Sequence, residues 1–433
     1  MHQYFFVLGN NHTLSKIEIL TVFSKENINF KIITSSAEIL ILESNQKIDL
    51  QGLMKKLGGT IKVGQIIDSI SFEKFQEQFN SLITDLNFLS NLFDPELSKI
   101  SFGISIYNAG APVTYINQVY PYAIKSLPKI KKFLSSSYRV NFFKSHERYI
   151  SSVSIVKNKL LMDGFELVIC VGENTVYFGK TIVVQDFEDY SFRDYQRPER
   201  DTKAGMIPPK LAKIMINISG LDISQTILDP FCGNGTIIQE LILLGYKNIL
   251  GTDYKNEQIQ KTNQNIEWLF EQYTNLVRSG FSIKTFTCDV KKLSQAIDKK
   301  SIDAIITEPY LGSPQSRHFS ITQIENEITI LEKLYLDTFY QFKNLLKTDG
   351  KIVIIFPVFR LRNSRYFLNI LPQLSKLGFS PVDFRQNPID KDLHLEVSER
   401  GSIIYYRPDQ IVYREIFIFK VDGEGFEPPT SSM

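Results

Sequence analysis

An α/β fold is predicted by three features of this 433-residue sequence. Residues 227–236, Ile-Leu-Asp-Pro-Phe-Cys-Gly-Asn-Gly-Thr, pass from an apolar strand through a carboxylate and a glycine turn into a helix with apolar spacing. Further on, strand-sized runs end at Asp253, Asp289 and Glu308 with helix-sized runs between them, the alternation of a helix-covered parallel sheet. Before a polar stretch at 187–208 the pattern is different: short strands and helices without βαβ repetition, an α+β region.

The bulk numbers describe an ordinary globular chain, with 43% hydrophobic and 22% charged residues and a net charge of +2. Its length allows two or three domains with full cores. So small a net charge does not announce a nucleic-acid binder, although a local basic patch would suffice. Cys170, Cys232 and Cys288 are widely spaced and form no C-x-x-C pair, which argues against a disulfide framework or a zinc site and suits a reducing cytoplasm. No apolar run reaches membrane-spanning length.

Residues 3–9 read as a strand, and 14–23 carry helical spacing behind an Asn11 or Thr13 cap. Strands fit 30–34, 37–43 and 61–70, with a helix near 51–57. Gly9-Asn-Asn-His-Thr-Leu-Ser-Lys-Ile-Glu-Ile19 resembles the opening of the small ferredoxin-like α+β domain that precedes a THUMP domain in tRNA-modifying enzymes. That resemblance sets a first domain at 1–70. Residues 72–98 read as helical and 102–107 as a strand.

Between Tyr122 and Tyr149 the only acidic residue is Glu147, while Lys125, Lys129, Lys131, Lys132 and Arg139 alternate with aromatic residues. Such a stretch suits a phosphate backbone with packing on riboses or bases. It also describes a solvated basic helix whose aromatics face its own core, the commoner role of a charge run. Residues 152–161, 165–170 and 176–186 then read helix, strand, strand. This resembles the close of a THUMP domain, an RNA-binding module that grips the acceptor end of tRNA, and places that domain at 71–186.

The polar stretch at 187–208 reads as a linker. Pro208-Pro209 then starts a helix over 210–218, with proline near the first turn where its missing N–H costs nothing. An Arg-Asp linker, Gly205-Met-Ile-Pro-Pro-Lys-Leu-Ala212 and Asp229-Pro-Phe-Cys-Gly-Asn-Gly-Thr236, in that order, resemble the THUMP-domain tRNA guanine-N2 methyltransferases, the family that modifies guanosine 10 of tRNA. The resemblance implies a Rossmann-like, seven-stranded class I methyltransferase domain over 209–420, with S-adenosylmethionine as cofactor and tRNA as partner. In related eukaryotic enzymes a small activator subunit is a further partner. Residues 421–433 have turn-former composition and read as a disordered tail.

The cofactor residues implied are Asp229, Phe231, Gly233, Gly235 and Thr236 at the glycine turn, Asp253 for the ribose hydroxyls and Asp289 for the adenine amine. Asp303-Ala-Ile-Ile-Thr-Glu-Pro-Tyr-Leu-Gly312 resembles the Asp/Asn-Pro-Pro-Tyr/Phe signature of amino-methyltransferases, with two departures. Glu308 replaces Asp or Asn, and one proline, Pro309, precedes Tyr310. The catalytic set is then Glu308 and the Pro309 carbonyl as acceptors for an exocyclic amine, with Tyr310 stacking on an extruded base. The sulfonium donor is already activated, so no metal or covalent nucleophile is required. Arg317 and His318 lie in a polar loop that could cover the base. Two other readings share these motifs: a DNA adenine or cytosine amino-methyltransferase, and a tRNA-binding protein in which Glu308-Pro-Tyr-Leu311 has lost catalysis.

A strand is further predicted at 351–356, helices at 321–347 and 366–376, and a closing hairpin from 402–406 and 411–420.

Overall fold

The computed structural model describes residues 1–200, 206–313, 320–386, 393–407 and 410–421. The expected tail beyond 421 and the loop residues Arg317 and His318 lie outside the described residues. Two units result, Met1–Asp189 with Pro388–Leu395, and Tyr190–Asn387 with Glu396–Met433.

The first unit opens with β1 (His2–Leu8), α1 (His12–Lys25), β2 (Lys31–Ser35), β3 (Ile39–Ser44), α2 (Leu50–Lys56) and β4 (Thr60–Ser71). These strands lie in the order β2-β3-β1-β4, antiparallel throughout, which is the ferredoxin-like arrangement. Of the two cap candidates, Asn11 caps α1, its side chain accepting from the Leu14 N–H at 2.9 Å. α3 (Phe75–Leu82), α4 (Leu86–Ser90), β5 (Lys99–Asn108), α5 (Val113–Leu134), β6 (Arg139–Phe143), α6 (Ser152–Lys157), β7 (Gly164–Val171) and β8 (Thr175–Val184) follow. β4 also pairs with β8, so one eight-stranded sheet runs β2-β3-β1-β4-β8-β7-β5-β6.

α5 buries Ile116, Val119, Ala123, Leu127, Ile130 and Leu134 at three- and four-residue spacing, so its opposite face is solvated. Pro121 and Pro128, seven residues apart, both lie on that exposed side. Inside the sheet, Lys62 donates to Glu166 at 2.7 Å and to the Ile150 carbonyl at 2.5 Å, while the Ser105 and Thr181 hydroxyls complete the carboxylate. Burial pushes the Lys62 ammonium below its usual range, against the pull of Glu166.

The second unit starts within α7 (Phe187–Tyr195) and continues through α8 (Pro209–Ile218), β9 (Thr226–Asp229), α9 (Thr236–Leu243), β10 (Asn248–Asp253), α10 (Asn256–Gln272), β11 (Ser282–Thr287), α11 (Leu293–Ala296) and β12 (Ile302–Thr307). It closes with α12 (Ile321–Leu345), β13 (Leu346–Leu361), β14 (Ser364–Phe367), α13 (Leu371–Lys376), β15 (Phe379–Pro381), β16 (Ile403–Tyr405) and β17 (Val412–Val421). The main sheet path is β11-β10-β9-β12-β13-β17-β15, with β14 on β13 and β16 on β17. The first five strands are parallel, and β17 is antiparallel to both its neighbours. Strand order reverses between β9 and β12, the switch point at which open α/β sheets leave a crevice beyond the carboxyl ends.

β13 runs five residues past the expected end at 356, because there it pairs with β14 and β17 instead of β12. The three-residue β15 is too short to show a period in the sequence. α12 begins in a capping box of Ser320 and Gln323 and packs Leu331, Tyr335, Phe339 and Phe342 onto Phe356, Phe417 and Phe419 of the sheet. Among the described residues, no helix is long and apolar enough to cross a membrane.

Candidate active site

The glycine turn after β9 is built on two left-handed residues. Gly233 has φ +49° and Gly235 φ +79°. A Cβ on Gly235 would meet Thr262 Cγ2 at 2.9 Å, whereas one on Gly233 would meet nothing within 4 Å. Glycine at 235 therefore permits helix packing, and glycine at 233 faces an open cradle. α9 begins after Gly235 without a side-chain cap, so among the described residues its first N–H groups have no side-chain acceptor.

Asp229 closes β9 and is 1% exposed. Its Oδ1 accepts from the Thr307 hydroxyl at 2.7 Å and the Phe231 N–H at 3.2 Å. Burial pushes the Asp229 carboxyl up to about 7, with Asp253 and Glu308 adding to the rise and those two hydrogen bonds opposing it. Asp253, at the end of β10, accepts from the Gly233 N–H at 3.2 Å and the Lys255 N–H at 3.0 Å, and burial raises its pKa as well. Asp289, beyond β11, is exposed and caps a short 3-10 turn through the Lys291 N–H. The neighbouring Cys288 N–H donates to the Asp253 carbonyl at 2.9 Å. The parallel pairing of β9, β10 and β11 thus aligns these carboxylates along one sheet edge. Phe231 is half-buried on that edge, against the core that contains Leu228.

Thr236 is held from the polar stretch upstream. Arg197 Nη1 donates to the Thr236 hydroxyl at 2.7 Å, and Arg193 pairs with buried Glu240 at 2.8 Å. Asn265 Nδ2 reaches the Asn234 carbonyl at 2.9 Å and the Glu199 carbonyl at 3.0 Å. The Arg-rich segment fixes the helix start instead of merely linking domains.

At the end of β12, Glu308 is gripped by Arg414, with Nε to Oε1 at 2.5 Å and Nη2 to Oε2 at 3.4 Å. The two side chains are 11% and 7% exposed. Pro309 is buried and Tyr310 is 49% exposed. The Tyr310 carbonyl accepts from the Tyr335 hydroxyl at 3.3 Å, which locks the backbone after Pro309 onto α12. The residues from 229 to 310 named from the sequence therefore meet along one edge of the second unit. Lys125, Lys129, Lys131, Lys132 and Arg139 lie in the first.

Arg414 and Arg197 escaped the sequence reading. The available signal for Arg414 was an Arg-Glu pair inside the apolar run 411–419, since charges in a buried strand need partners.

A donor with a sulfonium and an ammonium group fits this edge. Asp229 and Asp253 form no salt bridge among the described residues, Gly233 leaves its cradle open, and the buried Asn234 Oδ1 has no hydrogen-bond partner there.

Residues 197–366 match the family described as "RMKL-like, methyltransferase domain". A "Probable tRNA (guanine(10)-N2)-dimethyltransferase" of Methanothermococcus thermolithotrophicus is 32% identical over 145 residues, covering 33% of this chain and 77% of the relative. The chain belongs to the tRNA (guanine(10)-N2)-dimethyltransferase family. Another member, from Methanocaldococcus jannaschii, is 27% identical over 191 residues, 43% of this chain and 47% of that one. Among other curated relatives, the chain spans 28% of one and 50% of a second. In fold, the family member is similar to the crystal structure of TrmN from Thermus thermophilus, with TM-score 0.54, 12% identity, and coverage of 97% of this chain and 100% of that one. The second unit is accordingly a Rossmann-like class I methyltransferase domain.

Proposed function

We propose that this chain methylates the exocyclic N2 amine of a guanosine in tRNA, position 10 by family, using S-adenosylmethionine in the cytoplasm. The observation that carries this reading is the Glu308–Arg414 pair at the end of β12. The Watson–Crick edge of guanine presents N1–H and N2–H donors beside the O6 acceptor. A carboxylate flanked by a guanidinium presents the complementary acceptors and donors. Adenine offers a lone pair at N1, which a carboxylate would repel, so the pair disfavours the adenine alternative.

The bound donor supplies an electrophilic methyl group. Glu308 and the Pro309 carbonyl accept the two N2–H bonds, turn the nitrogen lone pair out of the ring plane and aim it along the transfer line. Transfer of that methyl group would displace one N2 proton, which the Glu308 carboxylate would accept. Tyr310 offers the exposed ring on which an extruded base stacks. Asp253 meets the ribose hydroxyls and Asp289 the adenine amine, while Asp229 opposes the donor's positive charge. In the first unit, Lys125, Lys129 and Lys132 are exposed on α5, with Arg139 exposed on edge strand β6, and form the phosphate-contacting face. Lys131 is half-buried, its ammonium 5.9 Å from the centroid of the Phe142 ring. A small activator subunit is a further candidate partner.

Calorimetry with S-adenosylhomocysteine, followed by nucleoside mass spectrometry of an unmodified tRNA transcript incubated with enzyme and S-adenosylmethionine, tests the reading. Expected are cofactor uptake and N2-methylated guanosine, lost when guanosine 10 is replaced by adenosine. Cofactor uptake with methyl transfer only to DNA, or to no nucleic acid, overturns it.

A further inference from the structure

Beyond Phe356, β13 leaves its parallel neighbour and forms a projecting hairpin with β14, flanked by β17 and β16. We propose that this projection, through Arg360, Arg365, Arg407, Tyr406 and Tyr413, is a second nucleic-acid contact that takes the phosphates and one stacked base of the strand adjoining the extruded guanosine. The proposal rests on the tRNA methyltransferase reading and adds a binding site to the catalytic unit itself.

Arg360, Arg362 and Arg365 are exposed on this hairpin, and Arg407 is exposed just beyond β16. None of them forms a salt bridge among the described residues, and residues 358–367 contain no carboxylate. Arg360 and Arg365 stand directly opposite each other in the β13–β14 register. Like charges so placed repel, and a sheet retains such a pair at a cost unless an anion lies between them. Both guanidiniums converge on one ring: they lie 6.0 and 5.8 Å from the Tyr413 centroid, and Arg360 Nη1 donates to the Tyr413 hydroxyl at 3.0 Å. Tyr406 stacks on the same ring at 4.9 Å and 27°, and remains 53% exposed. Cations ranked beside an exposed aromatic face are the two elements of single-strand nucleic-acid contact, charge for the backbone and a ring for a base.

The location selects which part of the strand is held. Arg414, which holds Glu308, is opposite Pro357, and Arg360 is three residues further along the same strand, about 10 Å at strand rise. That is the scale of neighbouring nucleotides. Side chains alternate along β17, so Tyr413 points to the face opposite Arg414. Arg360, three residues past Pro357, shares that opposite face, so the patch lies beyond the amine site around the end of β13 and takes a neighbouring part of the strand, leaving the base to Glu308 and Tyr310.

The test uses the full chain, the double variant Arg360→Gln/Arg365→Gln and, separately, Arg407→Gln. Affinity for an unmodified tRNA transcript is measured from about 50 to about 200 mM salt, with duplex DNA in parallel and S-adenosylhomocysteine uptake as the check on folding. The double variant is expected to bind tRNA roughly tenfold more weakly at physiological salt, with a salt slope shallower by about 1 to 2, and to keep its cofactor uptake. Unchanged tRNA affinity and slope overturn the patch and leave the methyltransferase reading standing. A parent protein that takes no tRNA overturns both. Loss of duplex DNA binding alone makes the patch a DNA surface and overturns the proposal. Photo-cross-linking of 4-thiouridine-labelled tRNA to the unaltered protein needs no variant. Adducts at Tyr406 are expected, and adducts confined to segments other than 358–367 and 403–407 overturn the assignment.

Discussion

Arg414 closes on Glu308 with both forks of its guanidinium, 2.5 Å at the shorter contact, from a strand that begins more than a hundred residues later. The longer side chain at 308, where the family motif has Asp or Asn, is thereby held at a defined position at the sheet edge. Burial works against the Arg414 cation, and Glu308 more than offsets it, so the guanidinium is held above its usual range.

Replacing Arg414 with Gln should lower methyl transfer to tRNA by at least about tenfold while changing cofactor affinity little, because the loss falls on orientation of the acceptor. Arg414→Lys should recover part of kcat, since charge returns without the fork. Single-turnover kinetics beside calorimetry separate the two effects. Equal losses in both quantities would show Arg414 to be merely structural.

Asp229 titrates in a window that can be measured. Its carboxyl holds a proton up to about 7 in the folded protein, above its unfolded value, so the folded state binds more protons and ligand-free stability falls as pH rises from about 4 to about 7. The fall should amount to a few kcal/mol, about 1.4 per unit at its steepest. Asp229→Asn should flatten that part of the urea-denaturation profile. Cofactor affinity should run the other way, rising between pH 6 and pH 8 as the carboxylate ionises opposite a cation. A pH-independent affinity would remove Asp229 from cofactor binding.

The two glycines of the turn should fail differently. Gly235→Ala forces a side chain into a left-handed residue against Thr262 and should cost about 1–3 kcal/mol of stability. Gly233→Ala meets open space and should cost about 1 kcal/mol, yet weaken cofactor binding more than Gly235→Ala does. Thermal melts and calorimetry on both variants decide it.

In the first unit, Lys62→Ala should destabilise by about 3–5 kcal/mol, because it leaves the Glu166 carboxylate buried without its cation. Lys62→Met/Glu166→Gln should recover most of that loss in urea denaturation. No recovery would mean that packing around Lys62, not charge, sets the cost.

On α5, Lys125→Glu/Lys132→Glu should weaken tRNA affinity and flatten its salt dependence, whereas Lys131→Glu should do less, its ammonium being half-buried against Phe142. Titration at two salt concentrations checks the order, and equal effects would mean that α5 attracts tRNA only through overall charge.

Much of this was legible along the chain. The helix start at Pro208-Pro209, the glycine turn and the strand-ending carboxylates at 229 and 253 are local features, so residue type and spacing reveal them. The extension of β13 was not, because residues 357–361 continue as a strand only through pairing with β14 and β17. Likewise Arg193 and Arg197 read as linker charges until α9 supplied Glu240 and Thr236 as their partners.

From the residues alone came the strands ending at 229, 253 and 307 with the helices between them, the glycine turn and the chemistry available at each strand end, since these depend on neighbours a few positions away. Only the folded chain decided that β17 inserts beside β13, bringing Arg414 to Glu308, and that the strands beyond it gather arginines around Tyr413. Such pairings join distant segments and are selected by burial of whole strand faces, a free energy that no short window of sequence contains.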